Sequence, residues 1–184
     1  ILEIRNEKKI LLTSNEKWQS GLLPILKSGI YYGEEYDANI IPKETDGVEL
    51  LDFNQSLLIE HEIDPVKELD PIHVIEELKD DEGYTVYDFG QNIAGYVSVE
   101  LSGEKGSKIL IEHSEVLGLS KKENKCNHFE NKNFRSASTK IQYTLKGSDN
   151  EKYKPHFTFM GFRYARIKVL SGNVVIKKII TANT

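Results

Sequence analysis

Cysteine is almost missing from this sequence. Cys126 is the only one in 184 residues, so no intrachain disulfide can form, and one thiol cannot build a metal site alone. It reads as an incidental loop thiol, because a nucleophile needs an activating base that the sequence does not place beside it. Long apolar runs are also missing: none approaches the roughly 20 residues that span a bilayer. There is no basic excess, with 24 Lys and Arg against 29 Asp and Glu and a net charge of -5. The lysines are interspersed with acids, which argues against a nucleic-acid partner. The opening ILEIRNEKKI has no cationic start ahead of an apolar core, so it is not a signal peptide. With no initiator Met, and Met160 the only methionine, the sequence is read as an excised or processed segment. The compartment, cytoplasmic or secreted, stays open.

What is present is a soluble, globular composition, 39% hydrophobic and 29% charged, long enough for one domain and a piece of another. No amphipathic helix stands out. Residues 1–14 read as a strand or hairpin. In 15–40, Gly21, Pro24, Gly29 and Gly33 break any long helix, and Trp18 reads as a buried anchor. Residues 55–63, QSLLIEHEI, alternate like a strand around Leu57, Ile59 and His61. Pro65 and Pro71 exclude a helix interior between them, and IHVIEEL after them is short and β-branched.

The centre of the chain, 84–116, predicts three strands joined by two glycine turns. Residues 84–89 carry apolar groups on both faces, which suits a strand covered on both sides. GQNIAG at 90–95 reads as a loop closed by its glycines. In 96–101, Val97, Val99 and Leu101 point inward and Ser98 and Glu100 outward. SGEKGS makes the second turn, after which Ile109 and Ile111 share a face. Residues 114–136 form a long polar loop. Strands resume at Ile141, Tyr143 and Leu145, at GFRYARIKV, and at VVIKKIITA. Eight to ten short strands with regular turns predict an all-β, jelly-roll-like β-sandwich.

The candidates for chemistry are carboxylates and amides. Glu34, Glu35, Asp37, Asp88, Glu112 and Glu115 are acidic, but glycoside hydrolysis needs two carboxyls at a set separation. Glu112 and His113 lie on opposite faces of one strand, so these acids read as surface charge. Asp88, Gln91 and Asn92 surround the glycine loop. They suit hydrogen bonding to sugar hydroxyls, or Asp88 and Asn92 hold the loop through its backbone amides, which is the favoured reading. Arg163 either locks a turn or pairs with a carboxylate such as Asp88. Tyr31, Tyr32 and Trp18 offer rings for stacking on sugars, but read better as core. The five histidines show no paired ligand spacing, so no metal site is expected. No cofactor is expected, and calcium alone stays open through DDE at 80–82, which reads better as a solvated turn.

The ordered set YDFGQNIAGYVSVELSGEKGSKILIEHSEVL at 87–117, NFRSASTKIQYTLKG at 133–147 and YKPHFTFMGFRYARI at 153–167 resembles the concanavalin-like accessory β-sandwich of bacterial α-L-rhamnosidases. Upstream, residues 18–38 resemble the end of a preceding N-terminal module, and DPIHVIEEL its junction. The resemblance implies a partial β module with a linker over 1–69 and the concanavalin-like sandwich over 70–184. It implies a parent protein that hydrolyses terminal α-L-rhamnose, with its catalytic carboxylates in a helical α/α barrel C-terminal to this sandwich. No catalytic residue is therefore carried over. The expected partners are that barrel and a rhamnosylated glycan, with neither nucleic acid nor membrane. Asp88, Gln91, Asn92 and Arg163 are the residues expected at a carbohydrate or domain-docking surface. The alternative role is an independent carbohydrate-binding module.

Overall fold

The computed structural model describes residues 2–5, 8–11, 14–60 and 62–183; His61 lies outside them. In chain order the strands are β1 (Leu2–Arg5), β2 (Lys8–Leu11), β3 (Gln19–Leu22), β4 (Ile25–Gly29), β5 (Gly33–Asp37), β6 (Lys43–Gly47), β7 (Glu76–Lys79) and β8 (Thr85–Gly103). They continue with β9 (Lys108–Ser114), β10 (Leu117–Gly118), β11 (His128–Phe129), β12 (Lys140–Thr144), β13 (Glu151–Tyr153), β14 (Met160–Ser171) and β15 (Val174–Asn183). The chain forms two compact units, one from 1–23 with 41–64 and one from 24–40 with 65–184.

In the smaller unit, β1 pairs with β2 and β3 with β6, both antiparallel. The expected hairpin in 1–14 is present over the described residues. Trp18 is not the buried anchor expected of it: it is 48% exposed. The strand expected over 55–63 is also absent among the described residues. The Asn54 side chain accepts from the Ser56 amide at 3.1 Å and starts a single 3-10 turn at Gln55–Leu57. A local side-chain bond of this kind competes with ladder pairing.

The larger unit is a nine-stranded sheet that curls into a sandwich. Its main path runs β13-β8-β14-β9-β12-β5-β4, and β7 and β15 also pair with β8. The 19-residue β8 is common to both layers. Its first half pairs with β7 and β14, and its second half with β15 and β13. Val86, Val97, Val99, Leu101, Ile109, Ile111, Ile141 and Leu145 are all fully buried; Val86 lies in the run expected to be covered on both faces, and the alternation seen in the sequence accounts for the others. β5 joins this sheet through a parallel ladder with β12. It enters at Gly33, where φ is +86° and a Cβ would sit 1.9 Å from the Lys140 carbonyl oxygen, so no side chain fits.

One expectation fails at the centre. GQNIAG is no loop between two strands, because β8 runs straight through it. The register shows how: Phe162 faces Ile93 and Tyr164 faces Asp88, so Arg163 alone is opposed by the four residues 89–92. The surplus is absorbed as a wide bulge, which bends the strand and lets it continue. Gly90 carries the backbone through at φ +80°. Gly90→Ala is expected to destabilise the chain by about 1–2 kcal/mol, from the left-handed φ and a Cβ placed 2.9 Å from Ile75 Cδ1. A urea titration of the variant checks this.

The 114–136 segment is more ordered than a plain loop, since β10 and β11 pair within it. Ser120, 1% exposed, holds the amides of Lys122 and Glu123 through its hydroxyl oxygen.

Candidate functional site

The bulge gathers the residues that the sequence singles out. Asp88 lies at its start, buried at 4% exposure. Its Oδ1 accepts from the Gly90 amide at 2.6 Å and from Arg163 Nε at 2.9 Å, and its Oδ2 accepts from Arg163 Nη2 at 2.8 Å. This is a two-pronged guanidinium–carboxylate pair, the geometry for which Arg is suited. The Arg163 bonds hold the Asp88 carboxyl below the usual carboxylate range against the opposing effect of burial, with help from the Gly90 amide. Asp88 in turn pushes the Arg163 guanidinium up. Arg163 also lies 5.0 Å from the centre of the Tyr164 ring. Asp88 therefore holds the bulge through a backbone amide, as expected, Asn92 does not share that role as it was expected to, and the expected partner Arg163 locks the bulge from the facing strand.

Gln91 and Asn92 sit on the bulge crest and are exposed. Among the described residues neither amide has a hydrogen-bond partner. Gln91 also borders a shallow depression with Glu68, Leu69, Asp70 and Ile72. The four expected residues thus form one patch, two of them locking its base and two offering free amides at its surface.

Three other carboxylates expected at the surface are buried as well. Arg166, 6% exposed, is the hub of the first cluster. It donates to Glu112 Oε2 through Nε at 3.1 Å and Nη2 at 2.8 Å, and to Asp80 Oδ2 through Nη1 at 2.6 Å. Lys168 Nζ stands 3.3 Å from Glu112, and the Phe129 ring centre is 4.3 Å from the guanidinium. Burial opposes the charge on Arg166, but Asp80 and Glu112 outweigh it and the net shift is upward. Asp80 Oδ1 also accepts from the amides of Glu82 and Tyr84. DDEG is thus a turn, but Asp80 is 3% exposed and spoken for, neither solvated nor free for calcium. No cluster of three or more His, Cys, Asp or Glu arranged for a metal occurs among the described residues. Sequence reasoning missed this hub. Alternation hides it, because Ala165 and Ile167 take the core face of β14 and leave Arg166 on the opposite one.

Glu34, at 2% exposure, is the centre of the second cluster. It accepts from Ser28 Oγ at 3.1 Å, Tyr153 Oη at 2.9 Å, and the His156 amide at 2.9 Å and Nδ1 at 3.0 Å. Burial alone would raise its pKa, but the bonds from His156 and Tyr153 outweigh it and the carboxyl lies below its usual range. The His156 ring stacks on Tyr36 at 5.3 Å and 7°. Glu151 is built the same way, with Tyr143 Oη and the amides of Lys146, Gly147 and Ser148 overcoming burial.

Glu112 and His113 make no acid–base pair, since Glu112 serves Arg166 and His113 Nδ1 donates to the Thr139 carbonyl at 3.0 Å. Burial lowers the His113 pKa to about 4. Tyr31 and Tyr32, expected in the core, are 48% and 55% exposed. They lie in the turn that β4 and β5 require, and meet edge to face at 5.4 Å. Cys126 is an exposed free thiol.

Residues 78–183 match the family model of the bacterial alpha-L-rhamnosidase concanavalin-like domain. An alpha-L-rhamnosidase of Streptomyces avermitilis is 32% identical over 175 residues, covering 88% of this chain and 16% of its own length. One from Formosa agariphila is 29% identical over 168 residues, covering 86% and 18%. Among solved structures, the native rhamnosidase from Aspergillus terreus superposes with a TM-score of 0.79 at 25% identity, over 97% of this chain and 21% of that one. The Streptomyces avermitilis enzyme complexed with L-rhamnose gives 0.78 at 29% identity, over 96% and 18%. This chain spans about a sixth of the length of the curated relatives it matches.

Proposed function

Since the chain belongs to the bacterial α-L-rhamnosidase concanavalin-like domain family, we propose that it is a non-catalytic accessory β-sandwich of a glycoside hydrolase that removes terminal α-L-rhamnose. Its task is to brace a helical-barrel catalytic domain in the same parent chain, with 1–23 and 41–64 the end of a preceding β module, while 24–40 gives β4 and β5 to the sandwich sheet. The observation that carries the reading is the engagement of the buried carboxylates. Acid catalysis of glycoside cleavage needs a carboxyl whose pKa is raised so that it keeps its proton. Glu34, Asp88 and Glu151 are all shifted the other way, by bonds that favour the charged form. Asp80 and Glu112 are held by Arg166. The length of the relatives supports a partner elsewhere in the parent chain. So does the unusual apolar surface of the segment before β7: Leu51, Ile59, Ile63 and Val66 are each more than 70% exposed, which calls for a covering surface.

The free amides of Gln91 and Asn92 favour a second reading, an independent carbohydrate-binding module. In it these amides and the outer face of Arg163 meet sugar hydroxyls while Asp88 fixes the bulge. One set of experiments separates the two. The purified chain is expected to give no turnover of an aryl α-L-rhamnoside, and robust turnover would refute the non-catalytic role. Saturable binding of a rhamnosylated oligosaccharide that disappears in Gln91→Ala/Asn92→Ala would establish the binding module; unchanged binding would remove the bulge from it.

A further inference from the structure

A second concave site lies beside the depression that Gln91 borders and shares Glu68 with it. Its cavity of about 350 Å³ falls in the size range of small-ligand pockets. Ile30, Phe157 and Phe159 give it apolar walls, and Tyr96, Glu68 and His156 supply polar atoms. Phe157 is 71% exposed and Ile30 62%, so the apolar part is open to a ligand. The polar part is built from beneath. Glu34 accepts the hydrogen bond from His156 Nδ1 at 3.0 Å, which orients the ring, so that in the neutral imidazole Nε2 is the acceptor. The Tyr36 ring stacked on the imidazole holds its plane. At the other side, Glu68 Oε1 takes the Tyr96 hydroxyl and Lys154 Nζ, leaving Oε2 unengaged among the described residues.

The cleft therefore offers two preset acceptors beside aromatic and aliphatic walls. A ligand that matches has hydroxyl donors on one edge and an apolar face for a ring to cover. We propose that this cleft binds a neutral pyranose unit of a glycan, its hydroxyls donating to His156 Nε2 and Glu68 Oε2 and its C–H face packed on Phe157. The cleft adjoins the depression that Gln91 borders, through Glu68, but neither Gln91 nor Asn92 lines it.

The test is a titration of the isotopically labelled chain with L-rhamnose, D-galactose and D-glucose, followed residue by residue in amide spectra. Expected are saturable shifts at Ile30 and 156–159 with at least one of these sugars. Phe157→Ala should weaken that binding roughly tenfold, the upper range for one aromatic packing contact. Phe157 is mostly solvent-exposed, so the variant keeps its fold, and an unchanged spectrum elsewhere verifies this. Gln91→Ala/Asn92→Ala should leave the shifts at 156–159 intact, which separates this site from the bulge. No saturable shift at 156–159 with any of the three sugars, or saturation indifferent to Phe157→Ala, overturns the assignment.

Discussion

Replacing Arg166 by Met is expected to cost about 3–5 kcal/mol of folding stability, the range for removing one partner of a buried ion pair. Met keeps the inner stem of the side chain but not the guanidinium, so the Phe129 ring contact at 4.3 Å is lost together with the ion pairs. Without the guanidinium, Asp80 loses the one cationic contact it has among the described residues, a bond of 2.6 Å, while its side chain is 0% exposed. Glu112 loses two bonds but keeps Lys168 at 3.3 Å and Lys140 at 3.8 Å. The penalty therefore falls mainly on Asp80. Arg166→Met/Asp80→Asn should recover part of the loss, because a neutral amide is cheaper to bury than an unpaired charge. Guanidinium unfolding curves of the variants measure both quantities. A loss below about 1 kcal/mol in the single variant would mean that the lysines carry the cluster.

Acid should weaken the fold through His113 from a higher pH than through the depressed carboxylates Glu34, Asp88 and Glu151. Its pKa falls from 6.5 to about 4 on folding. Between these values the unfolded chain takes up a proton that the folded chain refuses. Stability from this group is therefore complete above pH 6.5 and declines as the pH drops toward 4, by about 3 kcal/mol in all. The structure supplies the reason. Nδ1 already donates to the Thr139 carbonyl, and Nε2 is buried with no partner. A second proton would place an unbonded N–H and a charge inside the core, 4.7 Å from the Phe162 ring centre. His113→Leu should flatten the urea midpoint between pH 6.5 and 4. The depressed carboxylates Glu34, Asp88 and Glu151 act in a separate window: their contribution is present above about pH 4.5 and is lost as the pH falls through their lower folded values. An unchanged slope in His113→Leu would assign the acid sensitivity elsewhere.

Period-two alternation made most of the sandwich legible. Val97, Val99 and Leu101, or Ile141, Tyr143 and Leu145, are buried as their spacing demands. What alternation does not carry is pairing. Two glycines around QNIA look like a chain reversal, yet the neighbouring strand decides otherwise by offering Arg163 opposite four residues. The same limit applies to charge. Asp80, Glu112 and Glu34 look like surface acids until Arg166 and Tyr153, 86 and 119 positions away in the chain, are brought to them. The Asp88–Arg163 lock was readable because both residues sit in short, distinctive motifs. The exposure of Trp18, Tyr31 and Tyr32 was not, since aromatic rings prefer burial in general and only the turn that carries Tyr31 and Tyr32 puts them outside.

Because both layers hang on β8, neither can come away by itself. Slipping β14 or β15 along it would turn buried side chains outward on whichever layer moved, and the kink at Gly90 pins the alignment. Strain applied to one face is passed along the common backbone to the other, so the two faces should melt as a single piece. A sandwich assembled this way resists shear as a riveted plate does, through one continuous member whose dent fixes where everything else must lie.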